Sequence, residues 1–336
     1  MAEPEAVTSQ VKRVASKASQ RGSYFKSLSK SMRRNKDKKP ARSTDLALLN
    51  PQSSILNPQS YLYPMKRRDF FKTASPMVLL LANGQITEAG RLGLESMDRR
   101  KPILRFAVAS DGHYGQPDTP YQEYFTTLVN RINEEHARRK FAFAVINGDI
   151  IHDDKSFCPA AKAALDRLHL KYYVSQGNHD MLTPEEWQAN WQMPINLDFK
   201  IKKSSFLIAS TSNAQGTYLC PDLAWMKDRL EAHRRQDRVF VFIHINPAKL
   251  TRHAVDCPQL YELFDRYPNV KAVFNGHDHD EEGIKMKGKI PFVFDAHFGG
   301  SWGTEYRGFR VVEVLRDGTI ATYILNPVDR IQEGVL

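Results

Sequence analysis

From residue 103 onward, short runs of apolar residues alternate with stretches whose apolar positions recur at helical spacing. ILRFAVAS (103–110), FAFAVIN (141–147) and KYYVSQ (171–176) predict buried strands. TPYQEYFTTLVNRINEEHARR (119–139) and PAAKAALDRLHL (159–170) predict the helices between them. IKKSSFLIAST (201–211) and VFVFIHI (239–245) are the next strands, flanking a helix over PDLAWMKDRLEAHRR (221–235). After KAVFNG the pattern changes: PFVFDAHF, GFRVVEVLRDG and TIATYIL follow one another with no helical stretch between, which predicts an antiparallel closing section. The whole of 103–327 therefore predicts one α/β domain in which two packed mixed β-sheets are flanked by helices, with 328–336 as a C-terminal tail.

The first hundred residues obey neither pattern. Residues 1–64 are rich in Ser, Lys and Arg and contain a near-repeat, LLNPQSS then ILNPQSY, a composition that cannot bury enough surface to offset ordering entropy. They are expected to be a disordered basic tail or the product of a start codon placed too far upstream. From Met65 the chain reads MKRRDFFKTASPMVLLLANG, a charged region leading into a short apolar stretch, as in an export signal. Arg67-Arg68-Asp69-Phe70-Phe71-Lys72 resembles the twin-arginine signal. The expectation is a natural product that starts at Met65, carries signal and linker over 65–102, and is exported to the periplasm by the twin-arginine machinery. If residues 1–64 are genuinely present, a cytoplasmic protein is expected instead.

Charge follows the same division. Residues 1–102 hold 20 Lys/Arg against 8 Asp/Glu, and residues 103–336 hold 28 against 30. The basic character belongs to the leading segment, so no nucleic-acid partner is expected for the domain. No apolar run is long enough to span a bilayer. Cys158, Cys220 and Cys257 are widely spaced without a C-x-x-C, which excludes a zinc finger and argues against a disulfide framework. Three unpaired, partly buried thiols are expected, with a single disulfide as the alternative.

Chemistry gathers where the strands stop. After FAVAS comes Asp111-Gly112-His113; after FAVIN comes Gly148-Asp149, then His152 and Asp153; after YYVSQ comes Gly177-Asn178-His179-Asp180. His244 sits within VFVFIHI, and KAVF runs into Asn275-Gly276-His277-Asp278-His279. Carboxyl ends of parallel strands form the ligand crevice of an α/β sheet, so these five tips should converge on one rim. In extended backbone, residues i and i+2 face the same way, which would let Asp111 pair with His113 and His277 with His279. The glycines would let the chain turn sharply beside them. Carboxylate, imidazole and amide donors without thiolate suit Mn, Fe, Zn or Co.

These five motifs resemble those of the calcineurin-like metallophosphoesterase superfamily: Asp-x-His, Gly-Asp, Gly-Asn-His-Asp, a lone His, and Gly-His-x-His. The resemblance covers essentially all of 103–327 and implies a four-layer αββα sandwich holding two divalent or trivalent metal ions. It implies that Asp111, His113 and His279 hold one ion, that Asn178, His244 and His277 hold the other, and that Asp149 bridges them. A metal-bridging hydroxide would attack phosphorus, with His179 as general acid. Asp180 or Asp153 would orient an imidazole or support a turn. His152 stands where the phosphoprotein-phosphatase branch has Asp and the purple-acid branch has Tyr, and no second domain of the 5′-nucleotidase kind is expected. What remains is similar to the compact bacterial branch, which includes class III cyclic-nucleotide phosphodiesterases and glycerophosphodiesterases. A small phosphodiester is the expected substrate, with Tyr114, His297 and Trp302 (and Tyr306 beside them) as candidate substrate-binding residues. A phosphomonoesterase, a non-catalytic metal-binding relative, and an interaction protein working through the basic arm are the alternatives.

Overall fold

The alternation of apolar runs and amphipathic stretches is realised as two six-stranded sheets with helices on their outer faces. The computed structural model describes residues 101–295 and 297–326, together with the backbone of strands at 79–82, 85–88 and 330–335. The twin-arginine motif and residues 1–64 lie outside these residues. Leu79–Ala82 (β1) and Gln85–Glu88 (β2) pair as a small antiparallel hairpin.

The domain proper begins with Leu104–Ala109 (β3), whose every residue is buried. Tyr121–Arg138 (α1) leads to Ala144–Asn147 (β4), Cys158–Leu165 (α2) to Tyr172–Ser175 (β5), and Pro184–Trp191 (α3) follows. Leu197–Ile201 (β6) and Ser204–Ile208 (β7) come next, then Leu223–Ala232 (α4), Arg238–Phe242 (β8), Pro258–Asp265 (α5) and Val270–Asn275 (β9). Gly283–Lys287 (β10), Ile290–Phe294 (β11), Phe309–Val314 (β12), Ile320–Leu325 (β13) and Arg330–Val335 (β14) complete the chain. One sheet has the order β10-β11-β9-β8-β7-β6, the other β14-β13-β12-β3-β4-β5. Strands β3, β4 and β5 are mutually parallel in the second sheet, and β7, β8, β9 and β11 in the first.

Alternation along β3 shows why the layers hold. Phe106 and Val108 enter an inter-sheet core with Phe143, Phe206, Phe240, Phe242 and Phe274, whereas Ala107 and Ala109 face the helices. The Phe106 ring stacks on Phe143 at 5.0 Å and meets Phe206 and Phe240 edge-on. Helices α1, α2 and α3 cover the outer face of one sheet, and α4 and α5 that of the other, giving four layers.

Several expectations are corrected. IKKSSFLIAST is not one strand: the chain turns at Lys202 (φ 55°), joining β6 and β7 in an antiparallel pair. The closing section is not purely antiparallel, because β11 returns parallel to β9 before the chain crosses to β12 in the other sheet. Residues 330–335 form an edge strand beside β13 where a tail was expected. The cysteines are not all unpaired. Cys220 and Cys257 form a disulfide with Cα atoms 5.8 Å apart, because the loop before α4 folds back on the start of α5. Closing 37 residues of chain in this way contributes about 3–4 kcal/mol by the chain-entropy account. Cys158 is free and buried, with its thiol pushed up to about 12 by that burial.

Candidate metal centre

All five polar strand ends converge, and they do so through strained backbone. Asp111 (φ 60°), His113 (φ 47°), Asp149 (φ 49°) and His277 (φ 69°) occupy the left-handed region. The pairing of i with i+2 along an extended strand is therefore not how Asp111 and His113 come together. Such residues cost about 1–3 kcal/mol each and persist only where the surroundings over-determine them. Here the loops bond to one another: Gly112 and His113 N–H groups donate to Asp149 O at 2.9 and 3.0 Å, and His277 N–H donates to the Asp111 carboxylate at 3.0 Å. The glycines serve mostly as space. A Cβ at Gly148 would lie 2.4 Å from the His244 ring, and one at Gly177 would lie 2.2 Å from Asp149 Oδ1. Only Gly148 of these two needs a positive φ, +86°.

The side chains form two adjoining donor groups, Asp111 with His113 and His279, and Asp149 with His244 and His277. In the first, His279 Nε2 lies 3.0 Å from both Asp111 Oδ1 and His113 Nε2. In the second, His244 Nε2 lies 3.1 Å from Asp149 Oδ2. Donors about 2.0–2.1 Å from one ion stand roughly 3–3.4 Å apart, so the spacings suit coordination. Asp149 Oδ2 is also 3.9 Å from His113 Nε2, and Asp111 Oδ1 is 3.8 Å from His244 Nε2, so the groups are contiguous. Asn178 Oδ1 and His277 Nε2 are buried without a hydrogen-bond partner, and buried His244 Nε2 faces the Asp149 carboxylate. Two orphaned donors, with a carboxylate-paired imidazole beside them, from the ligand set expected of a single ion fit a cation site. Ring orientation is fixed from behind: His244 Nδ1–H donates to Asn147 O at 2.7 Å, and His279 Nδ1–H to Trp302 O at 3.1 Å.

Electrostatics show what an arriving ion must displace. Burial raises the Asp149 carboxyl, but the His244 cation outweighs it and holds it well below the usual range. Burial would lower His244, yet Asp149 and Asp111 together lift it to about 10. Asp111 likewise lifts His279 against the effect of burial, whereas burial drops His277 to about 4. The metal-free protein thus keeps His244 protonated at neutral pH. Its folded value exceeds the ordinary 6.5, so that proton's stabilisation is complete below 6.5 and is lost as pH rises toward 10. Metal affinity should climb with pH up to about 10, because only neutral imidazole coordinates. Calorimetric Zn titration of metal-free protein at pH 7, in buffers of different ionisation enthalpy, is expected to show at least one proton released per chain. Zero release would refute the paired state.

Beside the donors, His179 Nδ1–H donates to Asp153 Oδ1 at 2.7 Å, and its partly exposed ring stacks on His152 at 4.9 Å. Asp153 is therefore the residue that orients an imidazole. Asp180 takes the turn role: it accepts from Ile150 and Ile151 N–H at 2.8 and 3.1 Å and from Gly177 N–H at 2.7 Å, tying two ligand loops together. Burial raises Asp180 to about 7. His152, which the sequence placed among the strand-end groups and as a departure from the phosphatase branches, has its Nδ1 3.0 Å from His113 Nδ1 and completes a cluster with His113 and His179.

The substrate-facing candidates divide. Trp302 is 43 % exposed and stacks on His279 at 4.3 Å, so it stands at the mouth of the site. Tyr114 does not reach it, because its ring is buried against Tyr121 and Phe125. His297 is also turned away: Nδ1–H donates to Gly299 O, Nε2 meets Thr304 Oγ1 at 2.9 Å, and the ring backs onto His279. Tyr218, which the sequence did not single out, lies edge-on to His277 at 4.8 Å.

The model of the calcineurin-like phosphoesterase family matches residues 104–281, and the chain belongs to that family. It is a metal-dependent phosphoester hydrolase. A 3′,5′-cyclic-nucleotide phosphodiesterase of Nostoc sp. is 24 % identical over 228 residues, which cover 60 % of this chain and 82 % of that protein. A dimetal phosphatase from Danio rerio has a similar fold, with TM-score 0.56 and 13 % identity over 70 % of this chain and 98 % of that one. GAP50, the anchor in the inner membrane complex of Plasmodium, is similar at TM-score 0.52 and 14 % identity, over 69 % of this chain and 88 % of that one. Among the described residues no helix is long and apolar enough to cross a membrane.

Proposed function

We propose that the chain hydrolyses small phosphodiesters at a centre of two metal ions. Asp111, His113 and His279 would hold one ion, Asn178, His244 and His277 the other, and the Asp149 carboxylate would face both. The observation that carries this is the pair of contiguous donor groups, with Asn178 Oδ1 and His277 Nε2 buried and orphaned. Bound Mn, Fe, Zn or Co would supply Lewis acidity and a water of lowered pKa.

The chain's own groups do the rest. His179, partly exposed with Nδ1–H fixed on Asp153, would donate a proton from Nε2 to the leaving oxygen. Asp180 and the inter-loop hydrogen bonds hold Asp149 and Asn178 in place without reaching the substrate. Trp302 offers a flat apolar wall beside His279. The Nostoc relative's name, a cyclic-nucleotide phosphodiesterase, and the half-exposed indole favour a diester over a monoester. Export through the twin-arginine route stays part of this proposal on the strength of Arg67 to Lys72.

Chelated protein reloaded with each of the four metals separately is expected to hydrolyse bis(p-nitrophenyl) phosphate faster than p-nitrophenyl phosphate. Turnover that no metal restores would reject the mechanism. A preference for the monoester would leave the metal centre standing and reverse the substrate class.

A further inference from the structure

Among the described residues, the large hydrophobic side chains left exposed are Tyr218, Leu219 and Trp302. Two of these are the rings that border the site. Trp302 covers His279 of one donor group, and Tyr218 stands edge-on to His277 of the other. An aromatic ring standing open beside a site offers a flat apolar face that a ligand can cover.

Tyr218 is held where it is by an unusual amount of local structure. Residues 211–219 form a tight loop: Asn213 N–H donates to Thr217 O, Asn213 Oδ1 accepts from Gln215 and Thr217 N–H, and Leu219 N–H donates to Thr211 O at 2.8 Å. Its tip presses on a ligand loop, since a Cβ at Gly216 (φ +71°) would lie 2.7 Å from Asn178 O. Two residues after Tyr218, Cys220 is bonded to the buried Cys257 at the start of α5. The hairpin hydrogen bonds fix the loop's shape, and the disulfide fixes its exit from the site.

We propose that Tyr218, held by the Cys220–Cys257 disulfide, is a specificity residue that packs against one flat ester substituent of the substrate while Trp302 takes the other. This rests on the proposed diester reading and extends it: the substrates are diesters with aromatic or nucleoside groups, in preference to small alkyl diesters. A phosphoryl group lying between the two donor groups would extend one substituent toward each ring.

Binding, not turnover, separates the two ideas. Metal-loaded protein is titrated calorimetrically with diphenyl phosphate and with dimethyl phosphate, which has the same charge and no ring. Tyr218→Ala is expected to raise Kd for diphenyl phosphate about five- to tenfold and to leave dimethyl phosphate within about twofold. Tyr218→Phe should stay within about twofold on both. Cys220→Ser, shown folded by circular dichroism, should reproduce the Tyr218→Ala loss, and the double variant should add little to it. Equal weakening of both ligands by Tyr218→Ala would mean that the ring only props His277, and would overturn the proposal, as would no weakening of either. A Tyr218→Phe loss as large as that of alanine would overturn ring packing. Wild-type affinity for diphenyl phosphate in Cys220→Ser would overturn the role of the disulfide. A protein that binds diphenyl phosphate but cleaves no ester would defeat the diester reading alone.

Discussion

Replacing Asp149 with alanine is expected to lower kcat/KM by at least about 10³-fold and to leave fewer than two ions per chain after reloading. Its Oδ2 stands 3.1 Å from His244 Nε2 and 3.9 Å from His113 Nε2, so one carboxylate lies beside both donor groups. Its Oδ1 accepts the His179 N–H at 2.8 Å, which couples the position of the proposed acid to the same side chain. Removing it takes away the anion that offsets charge in a fully buried site, where an unpaired charge is expensive. Asp149→Asn separates the two contributions. The amide oxygen can still accept from His179 N–H, but it brings no charge, so metal content should fall while the loop stays in place. Metal content by mass spectrometry and kcat/KM on a diester are the measurements. Two ions retained with kcat/KM within tenfold of wild type would show that Asp111, whose Oδ1 is 3.8 Å from His244 Nε2, is the shared carboxylate instead.

The donor set was legible in the chain because strand ends are predictable. A buried strand must stop somewhere, and here each stop coincides with Gly, Asp, Asn or His. The local geometry was not legible. Left-handed backbone at Asp111, His113, Asp149 and His277 is imposed by hydrogen bonds between loops 30 or more residues apart in sequence, and a reading by strand period cannot see it. Helix α3 was missed although Thr183 and Glu186 form a capping box ahead of a buried Trp187, a signal that stands in the sequence. Tyr114 was misassigned because adjacency to a ligand in sequence says nothing of which face the ring takes, and here it joins the α1 core. Tyr218 carried no signal at all. It reaches His277 only because β7, β8 and β9 lie side by side and a disulfide returns its loop to α5.

His179→Ala is expected to cost about 10²–10⁴-fold in kcat on a diester with an alkyl leaving group and less than about tenfold on bis(p-nitrophenyl) phosphate. The contrast follows from what a general acid does. An alkoxide is a poor leaving group and needs a proton in the transition state, whereas p-nitrophenolate departs as the anion. His179 has the placement for this task. Its ring lies 5.0 Å from that of His113, partly open to solvent, with Nδ1–H committed to Asp153, which leaves Nε2 as the nitrogen for the proposed proton transfer. A role confined to the charge of the phosphoryl oxygens would depress both substrates alike, and equal losses would assign His179 to binding. Asp153→Asn should show the same leaving-group pattern at smaller amplitude, because it frees the imidazole to turn without removing it. A slope of log kcat against leaving-group pKa that steepens in His179→Ala, and partly so in Asp153→Asn, would mark proton transfer as the step these two side chains share.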